Sequence, residues 1–263
     1  MARILATLGS ANEAITLESL AVQAGYSPAH LQKVFKRAVG LSPSAYARAL
    51  RAERARNALS DGARTVTDAI YAAGYGAPSR FYDANRERMN MAPSAWKDGG
   101  RGTAIRWALV ETTLGTMLVA ATEKGVCRLS FAEGPEDLAA RFPRADIAQG
   151  GNEFAALCAQ VVAAVERPAS AHSIPLDVQG TAFQEAVWAQ LRAIPPGETR
   201  SYGALAALLG KPGASRAVGQ ANGANPVAVL TPCHRVVAAN GSLGGYAYGE
   251  AIKRELLRRE TGG

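Results

Sequence analysis

The chain of 263 residues has little of several features that define specialised protein classes. Its three cysteines, Cys127, Cys158 and Cys233, are too few for a disulfide framework and lack the Cys-x-x-Cys spacing of a zinc site. No apolar run approaches the roughly 18 residues of a membrane span, and the N-terminus has no secretory h-region. We therefore expect a cytoplasmic protein with no metal site, no cofactor and no membrane partner.

Basic side chains are in mild excess over acidic ones, and this excess is unevenly distributed along the chain. The 29 Lys and Arg residues outnumber the 22 Asp and Glu residues, which gives a net charge of +7. Residues 1–104 hold 14 basic and 8 acidic side chains, residues 105–170 hold 6 and 8, and residues 171–263 hold 9 and 6. The basic excess at both ends indicates an anionic partner.

A glycine-rich break at residues 98–102 separates helix-like patterning from strand-like patterning. We predict a multidomain protein with an all-α first domain (1–98), a linker (99–104), an α/β subdomain with a small antiparallel sheet (105–172) and a mostly helical subdomain (173–263). Cys127 is expected on one strand face with Leu129 and Phe131, and Cys158 on the apolar stripe of a helix. Both thiols are therefore predicted to be core residues.

The first domain contains a helix-turn-helix pattern twice. Thr16 is placed to cap a helix that ends at Gly25, and Ser27-Pro28 opens a second helix that ends at Gly40. The Ala-Gly-Tyr of residues 24–26 returns at residues 73–75, after a helix predicted over 43–60. The second helices are basic, with Lys33, Lys36 and Arg37 in one unit and Arg80, Arg86 and Arg88 in the other. Clustered cations on repeated units favour duplex DNA binding over plain helix packing.

Residues 14–98 resemble the two-unit DNA-binding domain of AraC-type transcription regulators. The resemblance implies that both second helices enter successive major grooves of promoter DNA, and it adds RNA polymerase as a further partner. Base contacts are expected from early positions of the second helices, namely His30, Gln32, Ser79 and Arg80. Asn85 stands where the first unit has Phe35, so the second unit is expected to pack less tightly.

The last third contains another helix-turn-helix candidate. Ser201 is placed to cap one short helix, and residues 215–223 form a second helix of mostly small side chains that begins near Arg216. Small residues weaken an isolated helix, so we expect them to allow close approach to a partner surface. Such a slim helix would fit the minor groove, which is only about 6 Å wide.

Cys233 differs from the other two thiols because it follows a predicted apolar strand at residues 227–230 and lies between Pro232 and His234. A cysteine becomes a nucleophile when a base or cation shifts it toward the thiolate. His234 would do this directly or through a water if Glu260, or another carboxylate, orients the imidazole ring. A Cys-His hydrolase is the competing interpretation, but its nucleophile would usually open a helix.

The wider set of motifs resembles the O6-alkylguanine-DNA alkyltransferases over residues 105–263. The motifs follow the order and spacing of that family: Phe183-Gln184 to Trp188, Pro196-Gly197-Glu198-Thr199, Ser201-Tyr202-Gly203, Arg216-Ala217-Val218-Gly219, Asn225-Pro226, Pro232-Cys233-His234-Arg235-Val236, Gly244-Gly245-Tyr246 and Lys253 to Glu260. The whole chain resembles the Ada-type fusion of regulator and methyltransferase without its N-terminal zinc module. We therefore expect a nucleoid-associated repair protein.

The resemblance implies a role for each matching residue. Cys233 takes the methyl group of a flipped O6-methylguanine, and by extension of O4-methylthymine, in a single turnover, with His234 as water-mediated base and Glu260 as its orienting acceptor. Tyr202 assists guanine departure, Arg216 replaces the flipped base, and Asn225 ties the recognition helix to the cysteine turn. The remaining implied DNA contacts are Ser201, Ala217 and Gly219, and the implied base pocket is Val236, Tyr246 and Ala247.

Two residues depart from the family pattern. Thr231 replaces a branched apolar residue, and Tyr248 stands where many relatives have glycine, which would narrow the pocket against larger alkyl groups. A regulator that binds DNA with a spent sensor domain is a further alternative. The joint presence of Cys233, His234 and Glu260 argues against such decay.

Overall fold

The computed structural model describes residues 1–11, 15–60, 65–75, 77, 102–170 and 173–262. In the first third, helices α1 to α5 are Ala2–Ser10, Leu17–Ala24, Pro28–Val39, Pro43–Ser60 and Val66–Ala72. Predictions that concern Ser79, Arg80 and Asn85, and those for linker residues 99–101, lie outside the described residues.

The first helix-turn-helix unit has the caps that the sequence predicts. The Thr16 hydroxyl accepts a hydrogen bond from the Ser19 amide at the start of α2, and the Ser27 hydroxyl accepts one from the His30 amide at the start of α3. The helices end at Gly25 and Gly40, whose φ angles of 69° and 81° are in the left-handed region that favours glycine.

The middle third is a small sheet with two helices. Its elements are β1 (Ala104–Thr112), β2 (Gly115–Thr122), β3 (Gly125–Ser130), α6 (Pro135–Arg141), β4 (Asp146–Gln149) and α7 (Asn152–Glu166). The strand order is β3-β2-β1-β4, and β4 pairs with β1 in parallel. The predicted antiparallel sheet is therefore wrong in this detail, because the crossover through α6 returns β4 to the far edge in the direction of β3.

Cys127 does not share a face with Leu129, contrary to the alternation that we expected. The pairing of β2 with β3 shifts register between Ala120 and Ala121, so Cys127 is the extra residue of a β-bulge in β3. The bulge turns Cys127 toward Ile105 and Leu118, whereas Leu129 packs with Met117 on the other side. Cys127 and Cys158 are both buried, as core residues should be.

The last third is mostly helical. Its elements are α8 (Ala182–Arg192), β5 (Arg200–Ser201), α9 (Tyr202–Leu208), α10 (Ser215–Gly223), a 3-10 turn (Cys233–Arg235), β6 (Val236–Val237) and α11 (Glu250–Glu260). The strand that we expected at residues 227–230 is wrong, because Val227 and Ala228 form only isolated bridges. Val229 adopts a φ of 67°, which breaks an extended strand at this point.

One buried apolar cluster joins the first third to the last. It contains Leu5 of α1, Phe35 of α3 and Ala49 of α4 together with Val187 and Trp188 of α8. The first helix-turn-helix unit therefore packs against the helices that surround Cys233. Within the described ranges, no helix is long and apolar enough to cross a membrane.

Candidate active site

The turn that carries Cys233 is held by two buried asparagines. The Asn225 side-chain amide donates to the Thr231 carbonyl at 2.8 Å, and its oxygen accepts from the Val227 amide at 3.1 Å. The Asn222 side chain, on α10, donates to the Cys233 carbonyl at 3.3 Å. These bonds fix the cysteine turn to the end of α10.

His234 and Glu260 form a buried pair beside the cysteine. The His234 Nε2 lies 2.8 Å from the Glu260 Oε1, and neither side chain is exposed. Glu260 also accepts hydrogen bonds from the Arg235 Nε and Nη2 atoms at 3.0 and 2.8 Å, and from the Gly197 amide at 3.3 Å. The carboxylate therefore fixes the ring with a protonated Nε2, which leaves Nδ1 as the free lone pair.

The electrostatics of the pair favour a neutral imidazole. Burial lowers the pKa of His234, and the hydrogen bond to Glu260 opposes this only in part. Burial alone would raise the pKa of Glu260, but the hydrogen bonds from His234 and Arg235 hold it below its ordinary value. Glu260 is therefore ionised and His234 is available as a base.

The Cys233 thiol is buried and belongs to the same group of residues. Burial raises its pKa, while the side chains of Asn225 and Tyr246 and the charge of Lys253 act in the opposite direction. The thiol therefore needs a base to become a nucleophile. The Cys127 thiol donates to the Ala120 carbonyl at 3.4 Å, and burial raises its pKa to about 12.

Two buried polar atoms around Cys233 have no hydrogen-bond partner within the described residues. They are the Nδ1 of His234 and the side-chain oxygen of Asn222, whereas the Tyr246 hydroxyl faces the Cys233 thiol. Unpaired buried polar atoms are rare in folded proteins, and each needs a water or a ligand to satisfy it. The group therefore has the chemistry of a site that receives a polar ligand.

The residues predicted to line a base pocket lie in different environments. Val236 is buried, and its carbonyl accepts a hydrogen bond from the Nζ of Lys253 at 2.6 Å. Ala247 is exposed. Tyr248 packs edge-to-face between Phe131 and Tyr246, with ring centroids 5.5 and 5.4 Å apart.

The short helices α9 and α10 form the predicted helix-turn-helix of the last third. Ser201 caps α9 by accepting from the Ala204 amide at 3.1 Å, so its hydroxyl is used in the fold. Arg216 is exposed at the start of α10, and Ala217 is half-buried. A Cβ on Gly219 would meet the Tyr202 ring at 3.8 Å, so α10 passes close to this tyrosine.

In the first helix-turn-helix unit, the predicted DNA contacts His30 and Gln32 are exposed on α3. The His30 ring packs against Tyr26, with centroids 4.9 Å apart. Among the described residues, no group of three or more His, Cys, Asp or Glu side chains is placed to hold a metal ion.

Two buried charges at the site had no predicted role. Arg235 shares Glu260 with His234, and Lys253 binds the carbonyls of Val236 and Leu243. The sequence could have predicted that Lys253 is buried, because it lies seven residues before Glu260 and so on the same face of α11. A lysine on the buried face of a helix indicates a polar partner.

Three family models match successive parts of the chain. They are a helix-turn-helix domain at residues 20–99, the ribonuclease-like domain of 6-O-methylguanine DNA methyltransferase at residues 105–178, and the DNA-binding domain of the same methyltransferase at residues 182–262. Both ends of the chain therefore match DNA-binding families.

Some known proteins are similar to nearly the whole of this chain, and others are similar to little more than half of it. The bifunctional transcriptional activator/DNA repair enzyme Ada of Escherichia coli is 41% identical over 94% of this chain and 71% of its own length. A methylated-DNA–protein-cysteine methyltransferase of Methanosarcina acetivorans is 40% identical over 59% of this chain and 97% of its own. The crystal structure of Mycobacterium tuberculosis OGT in complex with DNA superposes with a TM-score of 0.52 and 36% identity, over 60% of this chain and 93% of that one.

Proposed function

Because the chain belongs to the Ada family of bifunctional transcriptional activators and DNA repair enzymes, we propose that it repairs methylated DNA by transferring a methyl group to Cys233. The observation that carries the proposal is the buried group of Cys233, His234 and Glu260, beside polar atoms that have no partner among the described residues. A nucleophile, a base and an orienting carboxylate are the parts that such a transfer needs.

The substrate is O6-methylguanine in duplex DNA, with O4-methylthymine as a second substrate. The base leaves the stack and enters the space beside Cys233, where the unpaired polar atoms of Asn222 and His234, together with the Tyr246 hydroxyl beside the thiol, receive it or its waters. Val236 and Ala247 complete this pocket. Base flipping requires no flanking sequence, so repair is independent of sequence context.

The transfer is an in-line displacement. His234 takes the thiol proton through its Nδ1, directly or through a water, while Glu260 stabilises the positive ring that results. The Cys233 sulfur then forms a bond to the methyl carbon, and the bond from that carbon to O6 breaks with its electron pair remaining on guanine. Guanine regains one proton from the Tyr202 hydroxyl, and the proton that His234 took from the thiol returns to Tyr202 through solvent. The product thioether has no easy leaving group, so each molecule acts once.

We call residues 105–263 the repair half. The short helices α9 and α10 act as its DNA-binding unit, in a winged-helix-like arrangement. Ser201, Ala217 and Gly219 lie at the surface that approaches the DNA backbone, and the slim α10 enters the minor groove. Arg216 is exposed at the start of α10, where its side chain reaches into the gap that the flipped base leaves. Asn225 holds this helix to the cysteine turn.

The first third binds promoter DNA through the major groove. His30 and Gln32 on α3 read bases in one groove, and Ser79 and Arg80 read the next. The transcriptional role makes RNA polymerase a further partner. Repair and regulation in one chain fit a response to alkylation damage in which the sensor is also the regulator.

The test compares serine variants of two buried thiols. Single-turnover removal of O6-methylguanine from a duplex oligonucleotide should be abolished in Cys233→Ser and retained in Cys127→Ser. The two variants make the same atom change at buried positions, so Cys127→Ser controls for damage to the fold. Retained repair in Cys233→Ser would refute the assignment. Absence of repair in the wild-type chain would instead favour a DNA-binding protein with a spent sensor domain.

A further inference from the structure

Helix α8 has one face that does not belong to the repair half of the molecule. Val187, Trp188 and Leu191 are buried in the apolar cluster that contains Cys233, and this cluster continues through Ala182 and Ala186 into the first third of the chain. Ala182, Ala186, Ala189 and Gln190 recur at intervals of four, three and one residues, which places them together on another face. This second face, which we call the docking face, meets the first helix-turn-helix unit.

The contacts on the docking face are specific and close. A Cβ built on Gly40, at the end of α3, would lie 2.6 Å from the Cβ of Ala189, so only glycine fits there. The Gln190 amide donates to the carbonyls of Arg37 and Ala38 at 3.2 and 3.0 Å. At the other end of α8, the Ala182 amide donates to the Glu53 carboxylate of α4 at 3.0 Å.

The same helix also holds the catalytic turn. The Trp188 indole nitrogen donates to the Ala221 carbonyl near the end of α10 at 2.8 Å, and Arg192 reaches the Thr231 hydroxyl at 3.4 Å. The guanidinium of Arg235, which binds Glu260, also donates to the carbonyl of Ile194 just beyond α8. The helix therefore contacts the regulator on one side and the Cys233 turn on the other.

We propose that the first helix-turn-helix unit positions the repair site through α8, with Gln190 as the positioning residue. The inference rests on the proposed function, because it concerns the position of the same cysteine. Gln190 binds the last carbonyls of α3, which an α-helix leaves without internal partners, and so anchors α8 to the regulator. His30 and Gln32 remain exposed on α3, so docking leaves the DNA-reading residues free.

The test replaces glutamine with glutamate at two positions of α8 in the full chain. At Gln190 the change turns a donor into a carboxylate that faces two carbonyl oxygens. At Gln184 the same change retains the hydrogen bond of the side chain, because the Gln184 side-chain oxygen accepts from the Thr181 amide at 2.9 Å and a glutamate oxygen can do the same. Gln184→Glu is therefore a matched control on the same helix.

The readout is single-turnover methyl transfer on a single-stranded O6-methylguanine oligonucleotide, with the amplitude and the limiting rate constant measured separately. Gln190→Glu should lower the rate constant about tenfold at full amplitude, less than the roughly hundredfold cost of a 1 Å displacement of a reacting group. Gln184→Glu should match the wild-type chain. A loss of amplitude alone would mean partial unfolding, and it would overturn the positioning role, as would an unchanged rate constant.

A second pair of variants tests another contact of the docking face, that of Gly40 with Ala189, without adding charge. Gly40→Ala and Gly25→Ala both place a side chain at a left-handed φ, but a Cβ on Gly25 meets nothing within 4 Å. Only Gly40→Ala should slow methyl transfer, and equal rates for the two would overturn the inference. Absence of transfer in the wild-type chain would instead overturn the proposed function, and this inference with it.

Discussion

Replacing Glu260 with glutamine tests whether the carboxylate acts on His234. Glu260 accepts hydrogen bonds from His234, from two nitrogens of Arg235 and from the Gly197 amide. All of these groups are donors. Glutamine supplies one acceptor oxygen, so its amide group must face a donor, and the positive charge of Arg235 loses its buried partner.

The change should affect both the free energy of unfolding and the rate of methyl transfer. Breaking a buried ion pair by removing one partner costs about 3 to 5 kcal/mol in the free energy of unfolding. A positioned general base contributes about 10² to 10⁴ in rate, and a ring without its carboxylate loses both its orientation and its stabilised positive form. We therefore expect Glu260→Gln to slow methyl transfer at least about 10²-fold while duplex binding stays close to the wild-type level.

The assay is single-turnover repair with saturating protein, together with binding of an undamaged duplex and thermal unfolding. Glu255→Gln on the same helix is the control, because Glu255 pairs with Arg258 and Arg259 at the surface, away from His234. It should transfer at the wild-type rate. A wild-type rate in Glu260→Gln at a temperature where the protein is folded would remove the carboxylate from the mechanism.

Three further predictions concern the DNA contact, the pocket and the pH dependence. Arg216→Ala should slow repair of duplex more than of single-stranded substrate, because only a duplex stack has a gap to fill; equal slowing of both would reduce Arg216 to a phosphate contact. Tyr248→Gly should raise the rate for benzyl-sized lesions relative to methyl, since it opens the space between Phe131 and Tyr246, and an unchanged ratio of the two rates would remove Tyr248 from substrate selection. The folded state lowers the pKa of His234 below its ordinary 6.5, so the contribution of this residue to the free energy of unfolding is complete above pH 6.5. That contribution is lost as the pH falls from 6.5 toward the folded pKa, and chemical unfolding at several pH values should show the loss. Persistence of the same loss in His234→Gln would contradict the assignment.

Local patterns in the sequence predicted the helices of the first unit and of the repair half well. Thr16, Ser27 and Ser201 each cap the helix that they were expected to cap. A cap is decided by a few neighbouring residues, so the sequence alone contains the necessary information. The position of Glu260 beside His234 was inferred from a family resemblance and agrees with the geometry of the pair.

Features that depend on distant parts of the chain were not predictable in the same way. The bulge that turns Cys127 away from Leu129 arises from the register of β2 with β3, which strict alternation ignores. The left-handed Val229 ends the expected strand because its neighbours are held by Asn225. The docking face of α8 consists of three alanines and a glutamine, a composition that does not identify a contact surface in the sequence. The contact becomes evident only from the close approach of Gly40 in the structure.

The central claim is that Cys233 is the single methyl acceptor, and intact-mass measurement with peptide mapping tests it most directly. After incubation with excess O6-methylguanine duplex, the full chain should gain one methyl group per molecule, confined to the peptide that contains Cys233. The buried Cys127 and Cys158 should remain unmodified. A methyl group on either of them, or lesion removal beyond one equivalent of protein, would contradict the account.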